Sequence, residues 1–326
     1  MDIFETARVY AVPMRNRFRG ITVREGVLLR GPAGWAEFSP FLDYNDQECV
    51  PWLEAAVEAA TEGWLKPVRD RIPVNCTVPV VSAERAHEIV AASGCTTAKV
   101  KVADPGMPIG SDCERVAAVR DALGPAGRIR VDANAAWDAD TAVAAIRELD
   151  RAAGGLEYVE QPCPTLDQLA EVRRRVSVPI AADESIRRAE DPLRVAVAGA
   201  ADIAVLKVAP LGGVRRALKV AEAAGLPCVI SSAVETSVGL AAGLALAGAL
   251  PELDFACGMG TMSLLTADVT TESLRQQGGW LPVPLVAPEP DVFEAAAADE
   301  STTRRWLDRL GRVATLLGVT DQGRRG

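Results

Sequence analysis

The sequence is short of histidine, a residue on which many active sites depend. His87 is the single histidine among 326 residues, and it lies in AERAHEIV, a polar helical pattern that predicts a surface position. A catalytic triad built on histidine and a metal site of several histidines are therefore excluded. Any acid, base or metal ligand has to come from other residue types.

Paired cysteines, a leader and a membrane span are also missing. The seven cysteines are scattered and form no C-x-x-C motif, and their odd number argues against a disulfide framework. The first residues, MDIFETARVYAVPMRNR, lack a basic start followed by an apolar core, so we expect no signal peptide. The longest apolar stretch, from Val238 to Leu250, is too short to cross a bilayer. These features predict a cytoplasmic protein with free thiols.

Excess positive charge and nucleotide-binding motifs are absent as well. The formal net charge is −9 and the pI is about 4.9, which argues against nucleic acid or an anionic membrane as a partner. Neither G-x-G-x-x-G nor a Walker A motif follows any candidate strand, so nucleotide binding is unsupported. The sequence also gives no sign of an obligate protein partner, and a small molecule is the expected ligand.

What the sequence does contain is a series of short apolar runs that each end in charge. The charged residues are Lys101, Asp132, Glu160, Asp183 and Lys207, at intervals of 31, 28, 23 and 24 residues. One strand, one helix and two loops need about that length in a (β/α) barrel of ~250 residues. Charge at the end of a buried strand is costly unless it is paired or binds a metal, so five such ends indicate a site.

The β/α alternation predicts a TIM-type barrel of seven to eight units rather than an open doubly wound sheet. The candidate strands are Asn75–Val81, Thr97–Val102, Arg128–Asp132, Tyr158–Glu160, Ile180–Asp183, Ile203–Lys207, Cys228–Ser232 and Phe255–Gly258. The candidate helices are Ala83–Ser93, Asp112–Leu123, Asp138–Arg151, Thr165–Val176, Pro192–Ala198, Val214–Ala224 and Ser237–Leu250. We expect an α+β capping domain over residues 1–72, the barrel over 73–265, and a segment over 266–326 that packs back on the cap.

The predicted cap consists of a strand, a hairpin and a helical pair. The expected elements are a strand over Phe4–Val12, a hairpin of Glu25–Arg30 with Gly34–Phe38, and two helices over 46–68. MRNRFRGIT, between the first strand and the hairpin, is either a lid that meets an anion or a solvated loop. In the tail we expect a strand over 278–284, a helix over Thr302–Leu317 and disorder in the last residues, QGRRG.

Three of the charged strand ends predict a metal site. Asp132, Glu160 and Asp183 come from adjacent parallel strands, whose carboxyl ends point into one bowl. A single acid of this kind is more often an ordinary loop carboxylate, but three at matching strand ends are not. Three hard oxygen ligands without a soft one favour Mg²⁺.

The lysines lie on the strands on either side of these acids. Lys101 and Lys207 flank them, and Lys99 lies on the same face of its strand as Lys101. Lysine serves as a general base when a cation, a second ammonium group or burial lowers its pKa. A metal that holds a substrate carboxylate makes the α-proton removable, because the charge of the enediolate is stabilised there. The set therefore predicts proton abstraction next to a carboxylate.

The motifs resemble those of a known family. KVK, DANAAW, EYVEQP, AADES, LKVAPLGG and SSAVETSVGL are similar to the motif series of the enolase superfamily, in its muconate-lactonizing subgroup. RFRGITVREGVLL, GPAGWAEFSPF and ACGMGTMSLLTADV resemble the o-succinylbenzoate synthase family of the actinobacterial type. Ala36 and Met259 depart from the residues commoner at those positions.

The resemblance implies a hydro-lyase with defined residue roles. Mg²⁺, or Mn²⁺ in its place, would be held by Asp132, Glu160 and Asp183. Lys101 would remove the α-proton of 2-succinyl-6-hydroxy-2,4-cyclohexadiene-1-carboxylate and then assist loss of the hydroxyl in a syn elimination. Lys207 would stabilise the enediolate. The implied substrate-binding residues are Lys99, Ser232 and Gly258, with Asn134 and Arg19 as further candidates. The product, 2-succinylbenzoate, feeds menaquinone synthesis.

Two alternatives stay open at the level of sequence. An N-acylamino acid racemase or dipeptide epimerase of the same superfamily carries the same lysines and ligands, so only the cap sequence favours the synthase. A barrel that binds a metal or metabolite without catalysis is the second alternative. A barrel of that kind would be recognised by the loss of a catalytic lysine or a metal ligand, and this sequence retains all of these residues.

Overall fold

The computed structural model describes residues 2–187 and 194–318. Its first part is a three-stranded antiparallel sheet of β1 (Arg8–Phe18), β2 (Ile21–Gly31) and β3 (Gly34–Phe38), followed by helix α1 (Asp46–Thr61). Asn45 begins α1 with a capping box, because its side chain accepts from the Glu48 amide while the Glu48 carboxylate accepts from the Asn45 amide. The helix buries Trp52 and Leu53 against the sheet.

The central part is a seven-stranded parallel sheet in sequential order, wrapped by helices. Its strands are β5 (Cys76–Val78), β6 (Thr97–Lys101), β7 (Arg128–Asp132), β8 (Tyr158–Glu160), β9 (Ile180–Ala182), β10 (Ile203–Leu206) and β11 (Cys228–Ile230). The helices are α2 (Ala83–Ser93), α3 (Ile109–Leu123), α4 (Ala139–Ala153), α5 (Leu166–Arg175), α6 (Glu184–Arg187), α7 (Arg194–Val197), α8 (Val208–Leu211), α9 (Val214–Ala224) and α10 (Ser237–Ala249). The predicted barrel class is confirmed.

A short segment closes the sheet where the eighth strand was expected. Cys257 forms a parallel bridge with Val74, and Gly258 forms one with Ser231. The predicted strand Phe255–Gly258 is therefore reduced to isolated bridges. Its amides still bond on both sides, since Cys257 N donates to Pro73 O at 2.8 Å and Gly258 N donates to Ile230 O at 2.8 Å.

The C-terminal part returns to the N-terminal sheet. Strand β12 (Trp280–Pro282) pairs antiparallel with β4 (Arg71–Pro73), and helix α11 (Glu300–Leu317) packs on α1, β1 and β2. Trp306 of α11 is buried edge-on against Phe38, and its Nε1 donates to Glu25 Oε2 at 2.8 Å. Every helix of these described residues is too short or too polar to cross a membrane.

Several sequence-based boundaries were wrong. The first strand begins at Arg8, after a 3₁₀ turn over Ile3–Thr6. MRNRFRGIT is the tip of a hairpin between β1 and β2, not a loop, because the pairing continues to Phe18 and Ile21. The expected helical pair over 46–68 is the single helix α1. QGRRG and the start of the helix predicted from Pro192 lie outside the described residues.

Candidate active site

The strand register brings the charged strand ends side by side. Lys101 on β6 pairs with Asp132 on β7, and Asp132 pairs with Glu160 on β8. Asp183 directly follows β9, and Lys207 directly follows β10. Since neighbouring parallel strands end at one edge, these side chains form a continuous charged rim with Lys99, one inward position below Lys101.

Each carboxylate of the rim hydrogen-bonds a lysine. Asp132, Glu160 and Asp183 are nearly inaccessible, at 1%, 1% and 2% exposure. The Lys101 ammonium donates to Asp132 Oδ2, and that of Lys207 donates to Asp183 Oδ2. Lys99 Nζ donates to both Glu160 oxygens at 3.1 Å and lies 3.5 Å from Asp132 Oδ2. Buried charges without such partners would cost several kcal/mol, on the order of 3–5 for a broken pair.

Burial and mutual repulsion determine the protonation of the rim. Burial raises the pKa of Glu160, and the Asp132 charge raises it further, to about 7. Burial alone would also raise the pKa of Asp132, but Lys101 and Lys99 lower it below its usual range. For Lys99, burial lowers the pKa, whereas Glu160 and Asp132 together raise it above the usual value.

The rim fits a hard divalent cation by its donor chemistry. Three buried carboxylates offer six oxygens. Burial first, and then the charges of Asp132 and Asp183, raise the pKa of Glu160, and a dication would offset this cost of holding the carboxylates ionised together. Over residues 2–187 and 194–318, no three histidine, cysteine or acidic side chains are grouped as a ready coordination shell. The oxygens face lysines instead, so binding a cation requires those contacts to rearrange.

A cavity lined by both polar and aromatic side chains lies above the rim. Of the sequence-predicted site residues it is lined by Arg19, Lys99, Lys101, Asp132, Asn134, Asp183, Lys207, Ser232 and Gly258. Glu160 lies beneath, against Lys99. The structure thus brings the predicted residues to one cavity.

Asn134 and Ser232 make contacts that the sequence did not indicate. Asn134 Oδ1 accepts from Lys101 Nζ at 2.7 Å, so Asn134 orients the candidate base. The Ser232 hydroxyl donates to Glu235 Oε2 at 2.7 Å, accepts from Val234 N at 2.8 Å and lies 2.7 Å from Thr261 Oγ1. In this conformation it stabilises its own loop.

Gly258 and Arg19 also line the cavity, Gly258 from the segment that closes the barrel sheet and Arg19 from the hairpin turn between β1 and β2. A Cβ on Gly258 would lie 2.6 Å from Ser231 Oγ, so a larger residue would require the Ser231 side chain to turn away. Arg19 occupies the hairpin turn with φ of 51°, and its guanidinium lies 4.2 Å from the Phe41 ring centroid. Its Nη2 is 3.9 Å from Asp43 Oδ2 at the surface.

Sequence reasoning missed a buried glutamine that organises the ligand strands. Gln161 has φ of 39° and no solvent exposure. Its Oε1 accepts from the amides of Asp183 at 2.9 Å and Ser185 at 3.2 Å, and its Nε2 donates to Cys163 O at 2.9 Å. The available signal was its place directly after Glu160 in EYVEQP.

The sequence also did not predict the aromatic side chains that line the cavity. Phe18, Phe41, Tyr44 and Trp52 line it together with Thr77, Ser231, Ala233, Val234 and Thr261. The helical spacing of Trp52 predicted that this residue is buried, but it did not predict that Trp52 lines the cavity. Phe18 lies 5.2 Å from Lys101 Nζ, measured to the ring centroid.

Comparisons with known proteins agree with this geometry. The enolase C-terminal domain-like family matches residues 81–288, and the enolase N-terminal domain-like family matches residues 9–60. The o-succinylbenzoate synthase of Thermobifida fusca is 64% identical over 94% of this chain and 95% of its own. That of Mycolicibacterium smegmatis is 53% identical over 95% of both chains.

Solved structures show the same architecture. The L-Ala-D/L-Glu epimerase from Bacillus subtilis, in a substrate-liganded complex, superposes with a TM-score of 0.74 and 25% identity, covering 87% of this chain and 96% of that one. The 2-chloromuconate cycloisomerase from Rhodococcus opacus superposes with a TM-score of 0.77 and 23% identity, over 90% and 98%. At the latter identity the likeness concerns the fold alone.

Proposed function

Because the chain belongs to the o-succinylbenzoate synthase family of the enolase superfamily, we propose that it dehydrates 2-succinyl-6-hydroxy-2,4-cyclohexadiene-1-carboxylate to 2-succinylbenzoate. The observation that carries the proposal is the charged rim, in which three buried carboxylates on adjacent strands are flanked by two lysines. Members of the superfamily use a divalent metal ion. We propose Mg²⁺ for this chain, with Mn²⁺ as a substitute, and a cytoplasmic role in menaquinone synthesis.

The proposed residue roles follow from positions around the cavity. Asp132, Glu160 and Asp183 would hold the metal, which when bound supplies positive charge for the substrate carboxylate. Lys101 Nζ takes the α-proton, and the lone pair left on carbon is delocalised into the carboxylate as an enediolate. Lys207, beside Asp183, places a positive charge near that developing negative charge.

The second half of the reaction uses the same lysine. The protonated Lys101 gives its proton to the leaving hydroxyl as the C–O bond breaks, so water departs and the ring becomes aromatic. Proton and hydroxyl leave from one face, and one lysine therefore serves as both base and acid. Asn134 Oδ1, 2.7 Å from Lys101 Nζ, keeps the amine directed into the cavity.

The remaining roles concern substrate binding and the domains. Lys99, which hydrogen-bonds Glu160, would support the buried carboxylates, and Ser232, Gly258 and Arg19, which line the cavity, would contact the succinyl chain. As a proposal on organisation, residues 1–72 cap a barrel over 73–265, and residues 266–326 complete that cap.

The direct test is an assay of the purified chain on the cyclohexadiene substrate, with formation of the aromatic product followed by absorbance. Treatment with EDTA should abolish turnover, and added Mg²⁺ should restore it. Failure to form 2-succinylbenzoate at saturating Mg²⁺ would overturn the proposal.

A second candidate is racemisation or epimerisation of an N-acylamino acid or dipeptide. It is favoured by the likeness to the Bacillus subtilis epimerase and by lysines on both sides of the acids. Both lysines must exchange protons in that reaction, one on each face of the substrate.

A further inference from the structure

Helix α10 begins shortly after a segment that lines the cavity, and strand β3 of the N-terminal sheet supplies its cap. Its N-cap residue, Thr236, forms no capping bond through its own side chain. The Glu37 carboxylate of β3 takes that role, because its Oε2 accepts from Thr236 N at 3.1 Å, Thr236 Oγ1 at 2.5 Å and Gly239 N at 3.2 Å. A carboxylate at a helix N-terminus satisfies unpaired amides and interacts favourably with the helix dipole.

The other oxygen of Glu37 is fixed within the N-terminal sheet. Its Oε1 accepts from Tyr10 Oη at 2.7 Å and Ser39 Oγ at 2.6 Å. A Cβ on Gly239 would lie 2.9 Å from Glu37 Oε2, so the close approach of strand and helix depends on that glycine. Five donors thus converge on one buried carboxylate.

Arg24 makes a second connection from the same sheet. It is 2% exposed, and its Nε donates to Val234 O at 3.0 Å while its Nη2 donates to Ser39 O at 2.5 Å and Ser39 Oγ at 2.9 Å. Val234 has φ of 64°, a strained conformation for a β-branched residue. The bond to its carbonyl helps to hold the backbone in that conformation.

Both connections end on the segment of residues 231–236, which we call the 231–236 wall. Ser231, Ser232, Ala233 and Val234 of this wall line the cavity. The Arg24 guanidinium also lies 4.6 Å from the centroid of Phe41, another lining residue. The contacts of Arg24 and Glu37 therefore determine where one side of the cavity lies.

We propose that Arg24 and Glu37 are positioning residues that hold the 231–236 wall in the shape that receives the substrate. The inference rests on the proposed function, since it concerns substrate affinity for that reaction. The hydrogen bonds of Arg24 and Glu37 described above go to the N-terminal sheet and to residues 234–239 rather than to the charged rim, so their effect falls on binding rather than on proton transfer.

The chemistry of the two side chains makes conservative substitutions informative. A glutamine at position 37 is neutral and has one acceptor oxygen and one NH₂ group. The NH₂ group either faces the Thr236 and Gly239 amides, which cannot accept, or faces the Tyr10 and Ser39 hydroxyls, which must then turn and accept, so one set of contacts has to rearrange. A lysine at position 24 carries a single ammonium group and cannot reproduce the guanidinium fork to Val234 and Ser39.

The test compares E37Q and R24K with the control D268N. Asp268 caps the same helix from the C-terminal part of the chain, through Ser237 N at 3.2 Å and Ser237 Oγ at 2.5 Å, and does not line the cavity. The control therefore loses a helix cap without losing a contact to the wall.

Two measurements are made on each variant. Hydrogen–deuterium exchange of a peptide covering 228–240 should accelerate ~10-fold or more at the wall amides in E37Q and R24K. The KM for the cyclohexadiene substrate should rise ~10-fold with a much smaller change in kcat. D268N should lower the melting temperature and leave KM near that of the wild type.

The outcomes separate the two proposals. Unchanged KM in E37Q and R24K, with melting temperatures lowered as in D268N, would show a purely structural role and overturn the inference. Exchange needs no substrate, so unchanged wall exchange in both variants contradicts the inference even if the wild type fails to dehydrate the cyclohexadiene. That failure would by itself count only against the proposed function. R24K keeps a positive charge and serves as the readout if E37Q does not fold.

Discussion

The charged rim and the 231–236 wall form two sides of one cavity, but they are built from contacts of different range. Lys101 and Asp132 are 31 residues apart in the chain, and Asp183 and Lys207 are 24 apart. Arg24 and Val234 are 210 apart, and Glu37 and Thr236 are 199 apart. The lysine–carboxylate pairs of the rim join residues that are one β/α unit apart in the chain. The wall is held by contacts between the N-terminal sheet and the barrel. The chemistry proposed for the rim and the recognition proposed for the wall therefore depend on separate parts of the sequence.

The largest expected effect comes from removing the candidate base from the rim. Lys101→Ala removes the amine that hydrogen-bonds Asn134 Oδ1, and turnover should fall by more than the ~10²–10⁴-fold typical of general acid–base catalysis. Binding of 2-succinylbenzoate should persist, because the wall is intact. Steady-state kinetics and calorimetry measure the two quantities, with the exposed Lys219→Ala as the matched control.

A result with substantial kcat in Lys101→Ala would mean that proton transfer does not depend on this side of the cavity. The distinction between rim and wall would then have no functional basis.

The next effect concerns the three carboxylates as a group. Glu160→Ala should abolish turnover at ordinary Mg²⁺ concentrations, since a ligand and its charge are lost and Lys99 is left without its main partner. Magnesium titration followed by calorimetry should show weakened binding. Glu148→Ala, an exposed acid on α4, is the control; wild-type magnesium affinity in Glu160→Ala would remove Glu160 from the metal site.

The ratio of kcat/KM for dehydration to kcat/KM for racemisation distinguishes the roles of the two lysines. If Lys101 alone transfers protons, kcat/KM for dehydration should exceed that for racemisation of an N-succinylamino acid by orders of magnitude. The racemisation rate is measured by deuterium uptake in D₂O. Comparable or faster racemisation would favour the second candidate function, in which Lys207 also exchanges a proton.

The smallest expected effect is at the hairpin tip. The Arg19 side chain is 25% exposed, and its Nη2 lies 3.9 Å from Asp43 Oδ2, so Arg19→Ala should raise KM by ~10-fold at most and leave kcat unchanged. Arg17→Ala, on the same hairpin and outside the cavity lining, is the control. No change in KM would favour the solvated alternative for this segment over contact with a substrate anion.

Prediction from sequence succeeded where a signal is local and repeated. Helices Ala83–Ser93 and Val214–Ala224 and strands Arg128–Asp132 and Tyr158–Glu160 have the predicted bounds, because apolar periodicity, caps and glycine stops lie within each segment. It failed at the hairpin tip and at residues 255–258. There the pairing partner lies elsewhere in the chain, and the local pattern is the same for a strand and an irregular bridge.

The sequence by itself determined the β/α rhythm, the charged ends of five strands and hence the reaction class, because each of these depends on residues within one β/α unit. Only the tertiary structure decided that Lys99 pairs with Glu160, that Gln161 holds the Asp183 backbone, and that Phe41 closes the cavity. It also decided that Arg24 and Glu37 reach the 231–236 wall. Such contacts depend on how distant segments pack, and the sequence of one segment does not specify which other segment it will pack against.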